Sequence, residues 1–257
     1  MALLILAGLF FLTAVAYSSV GFGGGSTYNA LLVLAEMDYR LIPAIALSCN
    51  ILVVSGGLYH YWRGGVLTPQ SLLPYIMLSV PMAWLGGRLP VSEQVFIGLL
   101  GFSLLVAGAQ MLIKPQLTGL QKSLSKTAHW LTAVPLGGAI GLLAGITGIG
   151  GGIFLAPVIY YFHLAPVRTV AGITSGFILV NSVSGLAGQL MKAGEYSPIA
   201  GWTQAWPLFV AVIIGGQIGS RLGAYHLPET WIKRLTAVLM LYVALRLIWR
   251  WIGMVGL

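Results

Sequence analysis

The chain has 257 residues, of which 58% are hydrophobic and only 7% are charged. Because a soluble domain carries about 25% charged residues, this composition excludes an ordinary globular surface and predicts an all-α integral membrane protein. The formal net charge is +8, but the basic residues stand singly. A basic stripe of the kind that binds nucleic acid is therefore missing, and we expect the lipid bilayer as partner and no nucleic acid.

The predicted elements start with an apolar segment at about residues 2–19. It lacks a basic beginning, so we expect a retained helix and not a cleaved signal peptide. The glycines at 23–25 interrupt it, and a short helix follows from Ser26 to about Glu36. Further spans are predicted at 41–62, 69–87 and 94–113.

A polar, acid-free segment at 114–127 separates these elements from a second series of the same order. Its lysines predict a cytoplasmic location by the positive-inside rule. The second series comprises predicted helices at 129–146, 153–163, 168–190, 202–221 and 229–252. The length of the chain accommodates about eight spans of roughly 20 residues.

An internal repeat relates the two series. The motif from Val20 to Gly25 recurs from Thr147 to Gly152, 127 residues later. Ala44–Ser48 matches Ala171–Ser175 at the same offset, and Leu85–Leu89 matches Ile218–Leu222 at a slightly larger one. We therefore predict one compact transport domain made of a first repeat (1–113), a cytoplasmic linker (114–127) and a second repeat (128–257).

Each repeat opens with a glycine-broken helix hairpin. If the hairpin is re-entrant, each half has an odd number of crossings and the halves are inverted; if its first segment spans fully, they are parallel. The charge count favours inversion slightly, and inversion is our expectation.

The duplicated glycine clusters are the main candidate site. Broken backbone inside a membrane is tolerated only where it is buried in protein or lines a cavity. The N–H groups of the restarting helices would attract an anion. The alternative is close helix packing at small residues. Residues predicted to line this site are Gly23, Gly24, Gly25, Ser26, Thr27, Thr147, Gly150, Gly151 and Gly152.

Polar and basic residues elsewhere extend the prediction. Ser48, Asn50, Ser175 and Asn181 lie on the helix that follows each hairpin, where they would line the substrate site or bond between helices. Four arginines near span ends would attract anions or anchor the topology: Arg40, Arg88, Arg168 and Arg221. Enzyme, nucleotide and metal motifs are missing, so we expect no catalysis, no cofactor and no metal.

The repeated glycine motif is similar to that of the sulfite exporter TauE/SafE family of membrane transporters. The likeness covers nearly the whole chain and is clearest from Gly148 to Pro157 and from Ala171 to Ser175. In the first half, Tyr28–Ala30 stands where the second half has Leu155–Pro157, so the proline is missing there.

The resemblance implies a secondary transporter in the bacterial cytoplasmic membrane. Its expected substrates are small sulfur-containing anions, namely sulfite or organosulfonates such as sulfoacetate, often exported. The alternatives are an uptake or channel-like pathway for sulfate or thiosulfate, and a membrane protein that transports nothing. The sequence leaves open a homodimer.

Overall fold

The computed structural model describes residues 2–19, 21–63, 65, 67–112, 126–161, 164, 167–192, 198–222 and 229–256. Within these ranges the chain forms ten α-helices and no strand, as predicted for an all-α protein. The helices are α1 Ala2–Ser18, α2 Gly25–Leu34, α3 Ile42–Arg63, α4 Pro69–Arg88, α5 Glu93–Leu112, α6 Lys126–Thr147, α7 Gly152–Tyr161, α8 Val167–Leu190, α9 Pro198–Leu222 and α10 Glu229–Val255.

The helix boundaries lie within a few residues of those predicted. α6 begins at Lys126, so the linker prediction of 114–127 is two residues too long at its carboxyl end. Polar residues can occupy the solvated first turn of a helix whose apolar part follows, which explains the difference. The rest of that linker lies outside the described residues.

Five helices in the described ranges are long and apolar enough to cross a membrane: α3, α5, α6, α8 and α10. α1 is apolar but has 17 residues. α4 and α9 are long enough, but internal prolines, polar side chains and a terminal arginine dilute their apolar character. The count of eight spans therefore stays a prediction.

The two helix breaks occur at the predicted glycines. α1 ends before Gly21 and α2 begins at Gly25, while α6 ends before Gly148 and α7 begins at Gly152. α2 and α7 have 10 residues each. At 1.5 Å per residue such a helix is about 15 Å long, half the thickness of the hydrocarbon core. Each hairpin therefore contains one helix too short to span.

Glycines allow close parallel packing of four helix pairs. In each pair, two glycines on one helix lie against two residues of the other in the same chain direction. For α1 with α9 the contacts are Phe11–Gly215 and Val15–Gly219, and for α4 with α6 they are Tyr75–Gly137 and Ala83–Gly145. For α3 with α9 they are Val53–Gly216 and Leu41–Gly201, where Leu41 directly precedes α3. For α4 with α8 they are Leu72–Gly176 and Trp84–Gly188.

Two further pairs run antiparallel. Between α5 and α10, Gly98 lies against Trp251 and Gly108 against Leu241. Between α3 and α8, Leu47 lies against Gly185, while Asn50 and Ile178 both contact Gly150. Asn50 follows Leu47 in α3 and Ile178 precedes Gly185 in α8, so the two helices run in opposite directions. α3 and α8 are the most buried of the five candidate spans, whereas α10 is the most exposed. The centre of the fold is thus the α3–α8 pair with the two glycine loops.

Candidate functional site

The two glycine loops share two left-handed glycines and differ at a third position, where Gly150 has a φ of 82° and its counterpart Gly23 is not left-handed. Gly21 and Gly148, which are 127 residues apart, have φ angles of 81° and 79°. Gly24 and Gly151, at the same spacing, have φ angles of 85° and 80°. These left-handed conformations are strained for a residue with a Cβ. The backbone therefore requires glycine at the point where α2 and α7 each begin.

The loops meet at the centre of the protein. Gly25, the first residue of α2, lies against the carbonyl oxygen of Ile149, so that a Cβ there would be 2.5 Å from that oxygen. The Asn50 carboxamide fills the same place and contacts Gly23, Gly25 and Gly150. The two glycine clusters, which are far apart in the sequence, therefore lie in contact.

The amino terminus of α2 has no side-chain cap, and both short helices begin at a glycine. Gly24 caps α2 but has no side chain to accept a bond. The first backbone bond after it runs from the N–H of Tyr28 to the carbonyl of Gly24, at 3.0 Å. In α7 the corresponding bond runs from the N–H of Leu155 to the carbonyl of Gly151, at 3.2 Å, and the N–H of Phe154 donates to the same carbonyl at 3.1 Å. The N–H groups before these positions carry the partial positive charge of a helix amino terminus.

Three backbone carbonyls in or next to the loops accept hydrogen bonds from side chains. Ser175 Oγ donates to the carbonyl of Gly21. Asn29 Nδ2 donates to Thr147 O at 2.8 Å, and Asn50 Nδ2 donates to Ile149 O at 3.3 Å. A carbonyl oxygen repels an anion and attracts a cation, so a carbonyl that already accepts a bond is a weaker cation ligand. These three carbonyls are therefore satisfied within the protein.

Buried polar atoms without partners lie at the same centre. Asn50 Oδ1 and Ser182 Oγ have no hydrogen-bond partner among the described residues, and both residues are fully buried. Both side chains border Gly150. Because an unpaired buried polar atom costs free energy, such atoms are candidates for a ligand contact.

The other predicted site residues are buried or half-buried, but several use their polar atoms locally. The hydroxyls of Ser48 and Thr147 donate to carbonyls of their own helices, Ala44 at 2.8 Å and Leu143 at 2.7 Å. Asn181 Nδ2 does the same to Phe177, at 2.8 Å, and its Oδ1 has no partner among the described residues.

Ser26 and Thr27 occupy the first turn of α2 and are almost completely buried. Thr27 Oγ1 donates to the hydroxyl of Tyr17 at 3.0 Å. This bond joins the end of α1 to the beginning of α2, so it stabilises the turn of the hairpin.

The four predicted arginines lie at helix ends or in the turns beside them, away from the glycine loops. Arg88 closes α4 and stacks over the Trp84 ring at 5.1 Å, and Arg221 closes α9 with an exposed side chain. Arg40 stacks over the Tyr39 ring at 5.4 Å. The side chain of Arg168 lies outside the described residues. An anion-attracting role for all four stays a prediction.

Arg40 lines a cavity of about 840 Å³ at the end of the bundle where α2, α5 and α10 meet. Acidic and basic residues are mixed there. Arg250 Nη2 lies 2.6 Å from Glu93 Oε1, and Arg246 Nη2 lies 4.0 Å from Glu36 Oε1. None of the central glycine-loop residues lines this cavity. Its balanced charge distinguishes it from the uncharged centre of the protein.

The sequence prediction missed three residues of the central cluster: Asn29, Ser182 and Ile178. Asn29 was a detectable polar residue in an apolar short helix, and Ser182 is next to the selected Asn181. The sequence did not distinguish Ile178 from its neighbours, because isoleucine is common in apolar helices. Only the fold shows that it contacts both glycine loops.

Comparisons with known proteins identify relatives over the whole chain. The family model described as sulfite exporter TauE/SafE matches residues 5–247. A protein named probable membrane transporter protein y4hK, from Sinorhizobium fredii strain NGR234, is 31% identical over 245 residues, which cover 95% of this chain and 97% of that protein.

Two proteins named probable membrane transporter protein, from Xylella fastidiosa strains 9a5c and Temecula1, are each 26% identical with 91% of both chains covered. No solved structure matches the chain significantly.

Proposed function

The chain belongs to the sulfite exporter TauE/SafE family of multi-pass membrane transporters, and we propose that it moves small sulfur-containing anions across the membrane by alternating access. The proposed substrates are sulfite and organosulfonates such as sulfoacetate, and the proposed direction is export. The binding site in this proposal lies between the two glycine loops.

The observation that carries the proposal is that the amino termini of α2 and α7 meet at the two glycine loops, beside carbonyls that already accept hydrogen bonds. The Gly21, Thr147 and Ile149 carbonyls each accept a side-chain hydrogen bond. The helix amino termini beside them carry no side-chain cap at Gly24 and begin at glycines. Discontinuous helices that point their amino termini at a common site bind anionic groups.

The surroundings of the loops support an anion and not a cation. The acidic side chains that the structure describes, Glu36, Asp38 and Glu93, lie in turns or at a helix end. The central polar residues are amides and hydroxyls: Asn29, Asn50, Ser175 and Ser182. Uncharged donors can hold an anion and release it again, because no ion pair has to be broken.

We also propose that the two repeats, 1–113 and 128–257, are inverted. Supporting this, α3 runs antiparallel to α8, and α5 runs antiparallel to α10. α1 and α3 are both parallel to α9, whereas α4 is parallel to both α6 and α8. These directions support inversion for four of the five pairs of corresponding helices, namely α1 with α6, α3 with α8, α4 with α9 and α5 with α10. Inverted repeats around a central site provide two exchanging arrangements, open to either side of the membrane.

Close packing of the loops argues against an open channel. Gly25 rests on the Ile149 carbonyl, and the Asn50 side chain fills the gap beside it. An anion can pass only if the hairpins move apart, which is the behaviour of a carrier.

A binding screen tests this proposal. The purified protein in detergent would be heated with sulfite, sulfoacetate, taurine, thiosulfate or sulfate, and its unfolding followed. A ligand that binds the folded state raises the unfolding temperature, and the rise continues with the logarithm of the ligand concentration above its dissociation constant. We expect a concentration-dependent rise with sulfite or sulfoacetate. No rise with any of the five compounds at millimolar concentration would contradict the proposed substrate class.

A further inference from the structure

Asn50 on α3 and Ile178 on α8 occupy matching places around the glycine loops. Asn50 contacts Gly23 and Gly25 of the first loop and Gly150 of the second. Ile178 contacts Gly150 and Gly152 of the second loop and Gly23 of the first. Since Gly23 and Gly25 correspond to Gly150 and Gly152 at an offset of 127 residues, each side chain has the mirrored set of neighbours.

The contacts are equally close on both sides. A Cβ on Gly23 would lie 2.6 Å from Asn50 Oδ1 and 3.2 Å from Ile178 Cγ2. A Cβ on Gly150 would lie 2.6 Å from Asn50 Nδ2 and 3.2 Å from Ile178 Cγ2. Asn50 is fully buried and Ile178 is 3% exposed. The two side chains together fill the space where the loops cross.

Chemically, the two positions are opposite. Asn50 presents an amide whose Oδ1 has no partner among the described residues, and Ser182 beside Gly150 presents a hydroxyl in the same condition. Ile178 presents only hydrocarbon. The Asn50 oxygen only accepts hydrogen bonds, so the donors that an anion would meet between the loops are the second N–H of the Asn50 amide and the Ser182 hydroxyl, whereas Ile178 offers only an apolar surface.

We propose that Ile178 is a specificity-determining residue that selects anions with one oxygen-free side. This inference rests on the proposed function. An organosulfonate has three oxygens and one carbon on sulfur, and sulfite has three oxygens and a lone pair. Sulfate has four oxygens, so one of them faces Ile178 without a donor. A buried polar group without a partner is disfavoured, which discriminates against sulfate.

The test is a competition experiment in which proteoliposomes take up labelled sulfite. The ratio of the sulfate and methanesulfonate concentrations that halve uptake would be measured for the wild-type chain, Ile178→Asn and the apolar control Ile178→Val. We expect sulfate to be weaker by at least about tenfold in the wild type. Ile178→Asn should reduce that ratio severalfold, while Ile178→Val should keep it.

A second variant keeps the proposal testable if Ile178→Asn misfolds. Ile178→Thr has the shape of the control Ile178→Val but carries a hydroxyl, and it should lower the ratio in the same direction if Ile178→Asn does not insert. Unchanged ratios in a variant that still takes up sulfite would overturn the role of Ile178 while leaving the proposed function intact. A wild-type protein that binds none of the three anions would overturn both.

Discussion

Asn50 Nδ2 donates a hydrogen bond to the carbonyl oxygen of Ile149, 3.3 Å away, across a sequence separation of 99 residues. The bond joins the middle of α3 to the second glycine loop. The same carboxamide packs against Gly23 and Gly25 of the first loop. One side chain therefore holds both loops at the centre of the protein, and its removal should affect both stability and transport.

Replacing Asn50 with leucine keeps a similar size but removes the amide. Asn50→Leu leaves the Ile149 carbonyl buried without its donor, which should cost about 1–3 kcal/mol of stability. It should also abolish anion transport, because the substrate loses a donor. Unfolding in detergent and uptake into proteoliposomes would measure the two effects. Wild-type uptake by Asn50→Leu would remove Asn50 from the site.

Gly151 should not tolerate even alanine. Its φ of 80° is strained for a residue with a Cβ, and that Cβ would lie 2.8 Å from Phe177 Cε1. Gly151→Ala should therefore lower stability by about 1–2 kcal/mol or more. Gly57→Ala is the matched control, because Gly57 lies in helix α3 with nothing within 4 Å of the added methyl. Equal unfolding temperatures for the two variants would contradict the described turn.

Two serines at corresponding positions of the repeat should differ in effect. Ser175 donates to the Gly21 carbonyl, whereas Ser48 donates to Ala44 in its own helix. Ser175→Ala should weaken anion binding by up to about tenfold, equivalent to about 1.4 kcal/mol, because the freed carbonyl repels the substrate. Ser48→Ala should change binding little. Titration calorimetry would measure anion affinity for both variants. An equal loss of affinity in Ser175→Ala and Ser48→Ala would contradict a specific role of the bond to the Gly21 carbonyl.

Inverted repeats predict opposite sidedness for the ends of α3 and α8. Trp62 is in the last turn of α3 and Met191 follows α8, with side chains 69% and 57% exposed. In a Cys49→Ala background, Trp62→Cys and Met191→Cys should react with an impermeant maleimide from opposite faces of the membrane. Labelling of both from the same face would show that the repeats are parallel.

Much of the fold could be predicted because the relevant physics is local. Apolar length predicts helices, and three glycines in a row predict a break; the predicted beginnings of α2 and α7 are within one residue of those found. The span count was less predictable, because α4 and α9 combine sufficient length with proline and polar residues that lower hydropathy.

The partners of individual side chains could not be read from the sequence. Ser48 and Ser175 are equivalent in the repeat, but only Ser175 reaches a loop carbonyl, since that depends on how α8 packs beside the first hairpin. The position of Ile178 between the two glycine loops could not be predicted from the sequence for the same reason. Its importance follows from long-range contacts with Gly23 and Gly150, not from its own chemistry.

The most direct test of the account is counterflow in proteoliposomes. Vesicles loaded with unlabelled sulfoacetate or sulfite would be diluted into the labelled anion, with wild-type protein, Gly151→Leu or Gly57→Ala in the membrane. We predict saturable, transient accumulation of label with the wild type and Gly57→Ala, and none with Gly151→Leu. No accumulation above protein-free vesicles with the wild type, or equal accumulation with Gly151→Leu, would contradict anion transport through the glycine loops.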